Sequence, residues 1–129
     1  MIIDNVLLDE VSLKARENER KRMNYNFHDT LDAKAQRLLN ALEPGTEVPI
    51  HRHQHTSETY ILLRGAIRVS FYDDSGVNTV NFDLSPVDGH YGVHIPKGQW
   101  HTLLVQEPSV IFEVKDGPYM PLTAEDIMS

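Results

Sequence analysis

The sequence contains no cysteine in its 129 residues. Disulfide bonds, thiolate metal ligands and cysteine nucleophiles are therefore excluded, and any metal ion must be bound by nitrogen and oxygen atoms. Positive charge is also scarce, with 12 lysine and arginine residues against 19 aspartate and glutamate residues. The resulting net charge of -7 argues against nucleic acid as a partner, because phosphate binding depends on a basic surface.

Long hydrophobic runs are missing as well. No apolar run approaches the roughly 20 residues that span a bilayer, so we expect no membrane span. The first ten residues, MIIDNVLLDE, carry acids where a signal peptide carries basic residues. We therefore expect a cytoplasmic protein, and the length of the chain suits one domain with one core.

The N-terminal segment, residues 1–30, predicts a short helix followed by a polar arm. Asp9 can cap a helix that continues to about Asn18. Residues 20–28, RKRMNYNFH, then alternate with a period of two. If this arm is extended, its polar face can reach a ligand, and the candidate substrate-binding residues are Arg22, Asn24 and His28. We expect residues 1–30 to pack on a barrel formed by residues 31–129.

The rest of the chain has the pattern of an antiparallel β protein. Residues 31–42 suit a helix by propensity, but we expect Arg37 to Leu42 to form a strand because this stretch leads directly to a cluster of histidines. After residue 58, short β-rich segments alternate with turn signals, among them DDSG at 73–76 and EPS at 107–109. Short strands at intervals of about ten residues predict an all-β barrel or sandwich.

The segment HRHQHTSETY, residues 51–60, indicates a metal site. Side chains two apart on a strand point the same way, so His51 and His53 can direct two imidazoles to one point. Glu58 needs a turn before it can direct its carboxylate back to that point. A fourth donor must come from elsewhere, and His101, after the PKG turn, is the best candidate.

A family pattern covers these residues. The stretch GTEVPIHRHQHTSETYILLRG, residues 45–65, resembles the first conserved motif of the cupin superfamily, and PKGQWH resembles the second. The segments RKRMNYNFH, QRLLNALEPGTEVPIHRH, GQWHTLL and FEVKDGPY are similar to those of WbuC-type cupin metalloproteins, which are associated with bacterial surface-polysaccharide gene clusters. The resemblance implies a single-domain cupin (double-stranded β-helix or jelly-roll) barrel with metal ligands His51, His53, Glu58 and His101.

Three neutral imidazoles and one carboxylate suit a divalent transition metal such as Fe, Zn, Mn or Ni, with positions left open for a ligand. No general base stands out; His28, His55 and Tyr60 are the candidates. His55 is expected to be exposed or to support a ligand, His90 and His94 to make surface hydrogen bonds, and Trp100 to face away from the metal. Since Phe112 and Val114 should take the core, Glu113 is expected outside the barrel.

Two functions fit these features. The first is a metal-dependent enzyme, isomerase-like, epimerase-like or oxygenase-like, that acts on a small polar or anionic sugar derivative, with surface-polysaccharide (O-antigen) biosynthesis as a setting. The second is a non-catalytic cupin in which the metal stabilises a small-molecule binding or sensing site. A homodimer is expected in either case, because the edge strands of a barrel need protection.

Overall fold

Six β-strands and one N-terminal α-helix make up residues 1–128, the part of the chain that the computed structural model describes. Helix α1 spans Asn5–Glu17, and the strands are β1 Arg22–Asn26, β2 Ala35–Leu42, β3 Glu58–Tyr72, β4 Asn78–Leu84, β5 Gly92–Ile95 and β6 Trp100–Asp116. Their order in the antiparallel sheet is β1-β2-β6-β3-β4, and β5 pairs with β3. The all-β class with one short helix is confirmed.

Helix α1 begins earlier than the sequence pattern predicted. Its N-cap is Asp4, whose carboxylate accepts a hydrogen bond from the backbone N–H of Leu7 at 3.1 Å. The predicted cap, Asp9, lies inside the helix and pairs with Arg64 at 2.7 Å. The helix starts early because its apolar stripe includes leucines ahead of Asp9, and its buried apolar residues are Leu7, Leu8, Val11 and Ala15. Among residues 1–128, no helix has the length and apolarity needed to cross a membrane.

The polar arm forms β1, which pairs with β2 so that Asn24 lies opposite Asn40. The predicted alternation holds, because Met23 and Phe27 on one face pack against the helix. The prediction of a strand over Arg37 to Leu42 is confirmed by β2, Ala35–Leu42. Strand β1 is hydrogen-bonded into the same sheet as the strands that follow residue 30. The division of the chain into an arm of residues 1–30 and a barrel of residues 31–129 stays a prediction.

Strands β3 and β6 are each longer than the sequence pattern predicted. The expected turn at residues 107–109 is wrong, because β6 continues through it. The two strands bend where their register shifts, between Leu62 and Ile67 of β3. At this bend Gly65 has a φ of 99°, and a Cβ atom there would collide with Ser109 and with the backbone of Pro108. Glycine thus lets the strand bend where another residue would end it.

Two apolar cores lie on opposite faces of the sheet. The inner core is formed by side chains of β2 to β6 that point into the barrel, including Tyr60, Leu62, Ile67 and Ile111. The outer core lies between the sheet and α1, and Leu39, Ala41 and Val110 face the helix there. Strands β2 and β6 are therefore buried on both faces, and the barrel interior keeps room for a polar site at one end.

Candidate metal centre and its cleft

Four predicted ligands meet at one end of the barrel. His51, His53, Glu58 and His101 each offer one ligand atom, and these atoms all lie within 4.8 Å of one another. His51 and His101 are brought together by a backbone bridge, in which each N–H donates to the other residue's carbonyl at 3.0 and 2.8 Å. Residues 50 positions apart in the sequence are thus held side by side by the backbone itself.

Two further backbone features place His53 and Glu58. The carbonyl of His53 accepts a hydrogen bond from the N–H of Gly98 at 2.7 Å, which ties the histidine segment to the turn before β6. Gly98 has a φ of 79°, which this turn requires. Glu58 is the first residue of β3, so its side chain lies at the end of a strand rather than in a loop. The predicted turn before Glu58 is present and directs the carboxylate back to the histidines, but the predicted strand over His51 and His53 is wrong, because His51 forms only isolated bridges with His101 and Ile127.

The hydrogen bonds of the imidazoles leave their Nε2 atoms free to bind a cation. Nδ1 of His51 lies 2.9 Å from the carbonyl of Pro49, and Nδ1 of His101 lies 2.9 Å from the carbonyl of Gln99. Since a carbonyl oxygen only accepts, each Nδ1 carries the proton and each Nε2 presents a lone pair. Carbonyl contacts of this kind also fix ring orientation in metal-binding histidines.

Glu58 and His101 show that the cluster fits a metal ion. Nε2 of His101 lies 3.1 Å from Oε1 of Glu58, yet neither atom has a hydrogen-bond partner of acceptable geometry, and both are fully buried. Oε1 of Glu58 also lies 3.4 Å from Nε2 of His53. Buried acceptors facing one another without a donor are unfavourable. A cation bound among them removes that cost, so the donor set suits a divalent metal.

The protonation states are also those that metal binding requires. Burial, reinforced by the nearby His101, lowers the pKa of His51 to about 4. Burial likewise lowers the pKa of His53. Burial opposes ionisation of Glu58, but the contacts with His101 and His53 outweigh it and lower the pKa of that carboxyl to about 2. At neutral pH, His51 and His53 are neutral and Glu58 is ionised, which is the ligand state for a metal.

A cleft of about 260 Å³ opens beside the cluster. Its lining includes His51, His53 and Glu58, and basic and amide side chains line it as well: Arg20, Arg22, Asn24, Asn40 and Lys115. Burial and the neighbouring Arg20 lower the pKa of Arg22, while Glu113 opposes that shift. Two guanidinium groups side by side near a cleft favour an anionic ligand.

Comparison with known proteins supplies the family and the fold. Residues 3–84, more than half of the chain, match the profile of the family described as "Domain of unknown function (DUF6016)". The chain belongs to the DUF6016 family. No curated protein matches it.

Solved structures similar to this DUF6016 chain include cupins. A cupin superfamily protein from Desulfitobacterium hafniense is 15% identical with a TM-score of 0.60, covering 77% of this chain and 80% of that one. KdgF from Halomonas sp. is 19% identical with a TM-score of 0.57, covering 77% and 80%. The capsular polysaccharide assembling protein CapF from Staphylococcus aureus is 21% identical with a TM-score of 0.63, but the match covers 76% of this chain and only 27% of CapF. The DUF6016 chain therefore has the cupin fold, as its motifs predicted.

The other candidate residues of the DUF6016 chain lie at varying distances from the cluster. Tyr60 is buried and lines the cleft, and burial together with Glu58 raises the pKa of its hydroxyl well above the ordinary value. Nδ1 of His28 instead lies 3.2 Å from the carbonyl of Arg37, and His28 does not line the cleft. His55 is exposed and lines a neighbouring pocket, which shares His53 and Lys115 with the cleft. Of the three candidates for acid or base, only Tyr60 faces the cleft.

The remaining histidines and Trp100 make contacts away from the cluster. Nδ1 of His94 lies 2.9 Å from Oγ1 of Thr59, and Nδ1 of His90 lies 3.2 Å from the carbonyl of Asp83. Both histidines are exposed. Nε1 of Trp100 donates to Asp74 at 3.1 Å, and the guanidinium of Arg52 stacks 4.5 Å from the ring centre. These residues support the surface around the barrel end.

The expectation that Glu113 lies outside the barrel is wrong. Glu113 is only 7% exposed and lines the cleft, whereas Phe112 packs in the outer core against α1. The alternation along β6 is as expected, but its faces are exchanged because α1 covers the outer face of the sheet and forms a second core with Phe112. Burial and the charge of Glu58 raise the pKa of Glu113 to about 7, against a hydrogen bond from Asn40.

The segment after β6 also lines the cleft and was missed. Tyr119, Met120 and Leu122 form part of its wall. Backbone hydrogen bonds anchor the segment at both ends, from Tyr119 to Leu31 at 2.7 Å and from Met128 to Ile50 at 2.8 Å. The signal in the sequence is a row of apolar residues, PYMPL, beyond the last strand.

Proposed function

We propose that this protein is a metal-dependent cupin enzyme that acts on a small polar or anionic sugar derivative. The observation that carries the proposal is the cleft, which joins the cluster of His51, His53 and Glu58 to the basic residues Arg20 and Arg22. Four protein ligands leave one or two positions open on a metal such as Fe, Zn, Mn or Ni. When bound, such a metal polarises an oxygen of the substrate or, if it is iron, reacts with dioxygen.

The side chains around the cluster bind and orient the substrate. Arg22 and Lys115 attract an anionic group, and arginine can bind a carboxylate or phosphate with two parallel hydrogen bonds. Asn24 offers an amide to hydroxyl groups. Apolar residues such as Leu42 and Leu103 on the cleft wall limit water. A volume close to the lower bound of about 300 Å³ for ligand pockets suits a ligand of monosaccharide size.

The resemblance to WbuC-type cupins supports a role with polysaccharides. The resemblance to WbuC-type cupins spans both metal motifs and the polar arm, and it associates this chain with surface-polysaccharide biosynthesis. CapF of Staphylococcus aureus, which shares the fold, is itself a capsular polysaccharide assembling protein. We therefore propose surface-polysaccharide (O-antigen) biosynthesis as the setting, in the cytoplasm, where sugar precursors are made.

The second candidate function is a non-catalytic binding or sensing protein in which the metal stabilises the fold. It is favoured by the positions of the candidate bases, because His28 and His55 do not line the cleft. The raised pKa of Tyr60 keeps its hydroxyl protonated at neutral pH, so it is not a base there.

We propose a homodimer as the working form. The sheet has β1 and β4 at its two edges, and Val80 of β4 is exposed there. An unprotected edge strand pairs readily with another chain. Sedimentation velocity measures the mass directly: a dimer supports the proposal and a monomer at tens of micromolar contradicts it.

A calorimetric screen tests the proposed ligand class. Metal-loaded protein is titrated with sugar acids, sugar phosphates and nucleotide sugars. We expect one class to bind, and the substitution Arg22→Met to weaken binding by about tenfold. Arg68→Met is the matched control, because Arg68 pairs with Asp83 on the surface away from the cleft. If no class binds to the metal-loaded wild type, the proposed substrate is wrong. Turnover of the bound class then separates the enzyme from the binding protein.

A further inference from the structure

We propose that Glu113 and Asn40 form a subsite that binds hydroxyl groups of the ligand beside the metal centre. The inference rests on the proposed function, since the subsite is defined by its position next to the metal. It adds a specific chemical requirement, namely that the ligand carries neighbouring hydroxyl groups.

The strand order places this pair next to the cluster. Glu113 on β6 lies opposite Tyr60 on β3, the strand that begins with Glu58. Asn40 lies on β2, the other neighbour of β6, and is in turn opposite Asn24 on β1. All five side chains line the same cleft. A row of polar side chains therefore crosses four strands, from the metal ligand Glu58 on β3 to Asn24 of the polar arm on β1.

The hydrogen bonds within the pair leave two acceptors unused. Nδ2 of Asn40 donates to Oε1 of Glu113 at 2.9 Å, which fixes both side chains. Oδ1 of Asn40 is fully buried and has no hydrogen-bond partner. No hydrogen bond to Oε2 of Glu113 is present in residues 1–128. Buried acceptors are normally satisfied in folded proteins, so the unpartnered Oδ1 of Asn40, beside the free Oε2 of Glu113, indicates a ligand or water that donates.

The chemistry of the cleft identifies that donor as a hydroxyl group. A carboxylate or phosphate brings only acceptors, which Oδ1 of Asn40 cannot satisfy, and it is repelled by Glu113 whenever that carboxyl is ionised. An ammonium group would meet Arg22 and Lys115 in the same cleft. A hydroxyl group donates to a carboxylate and accepts from a carboxyl, so it suits Glu113 in either protonation state. Two adjacent acceptors match two neighbouring hydroxyl groups, as on a sugar or a sugar acid, whose anionic group can then contact the arginines.

Two probes distinguish ligand binding by this subsite from ligand binding by the metal. Glycolate can chelate a metal but carries no further hydroxyl groups, whereas D-gluconate has the same hydroxy-acid end and a chain of hydroxyl groups. Protein loaded with Co(II) is titrated with each probe by calorimetry, and the Co(II) absorption spectrum reports whether the metal is bound. The variants are Glu113→Met and Asn40→Leu, which remove the acceptors while keeping similar side-chain volumes. Glu107→Met is the control, an exposed glutamate on the same strand.

We expect wild type to bind gluconate more tightly than glycolate. Either cleft variant should weaken gluconate binding by about tenfold or more and leave glycolate binding and the Co(II) spectrum unchanged. Stoichiometric Co(II) with no preference for gluconate, or equal weakening of both probes, overturns the subsite alone. Failure of wild type to bind Co(II) overturns both the subsite and the proposed function. If Glu113→Met fails to fold, as seen by melting temperature, Asn40→Leu decides the outcome by the same criteria.

Discussion

Removal of the metal should lower the melting temperature sharply. The proposed ligands come from three separate parts of the chain, namely the segment with His51 and His53, the start of β3 at Glu58, and the start of β6 at His101. Only the folded chain assembles them, so metal binding stabilises the native state by mass action. At a free metal concentration about a thousandfold above the dissociation constant, this linkage contributes about 4 kcal/mol to the free energy of unfolding.

That free energy converts to a large change in melting temperature. A chain of 129 residues has an entropy of unfolding of roughly 0.27 kcal/mol/K, so about 4 kcal/mol corresponds to about 15 °C. The assay is differential scanning calorimetry of the metal-loaded protein before and after dialysis against a chelator. The adjacent histidines give matched variants: His53→Ala should abolish the metal-dependent shift, and His55→Ala should preserve it. Equal melting temperatures with and without chelator would refute the reasoning.

Three further predictions test the electrostatics and the fold. The pKa of His51 is lowered to about 4 in the folded protein, so between this value and the unfolded value of about 6.5 only the unfolded chain gains the proton. The free energy of unfolding of the metal-free protein, measured with urea, should therefore fall by about 2 kcal/mol between pH 7.5 and pH 5. A free energy that does not change with pH would argue against the burial of His51. Gly65→Ala should destabilise the fold by about 3 kcal/mol or more, because the added Cβ collides with Ser109 and Pro108 at the bend. Gly45 has a similar φ of 98° but open space around it, so Gly45→Ala should destabilise the fold by only about 1 kcal/mol. Equal losses of stability would contradict the close packing at Gly65. Asp4→Ala should reduce stability by about 1 kcal/mol because the helix loses its cap, whereas Asp9→Ala, at an exposed ion pair, should reduce it by less. Thermal unfolding measures both losses, and a larger loss for Asp9→Ala would indicate that Asp9 is the cap.

The fold and the clustering of the four candidate ligands were predictable from sequence because both depend largely on local pattern. The turn before Glu58 and the β-rich segments are short-range features, and the cupin motifs add the spacing from His51 and His53 to His101. A sequence pattern also separated the two faces of β1, with Met23 on the packing side. These are the features for which periodicity alone is informative.

The features that were missed depend on contacts between distant segments. Glu113 was assigned to the wrong side because the covering helix creates a second core for Phe112, and one strand cannot reveal what packs on its far face. The EPS segment contains proline and serine, which favour turns, yet the strand continues there because Gly65 on the neighbouring strand makes room for Ser109. The helix start was misplaced because two aspartates, Asp4 and Asp9, both suit a cap.

Metal content tests the central claim most directly. Protein purified without added metal is analysed by inductively coupled plasma mass spectrometry, as wild type, His53→Ala, His101→Ala and His55→Ala. We predict one divalent transition metal per chain in wild type and in His55→Ala, and a loss of most of that metal in the other two variants. Stoichiometric metal in His53→Ala or His101→Ala equal to that of wild type would contradict the four-ligand centre.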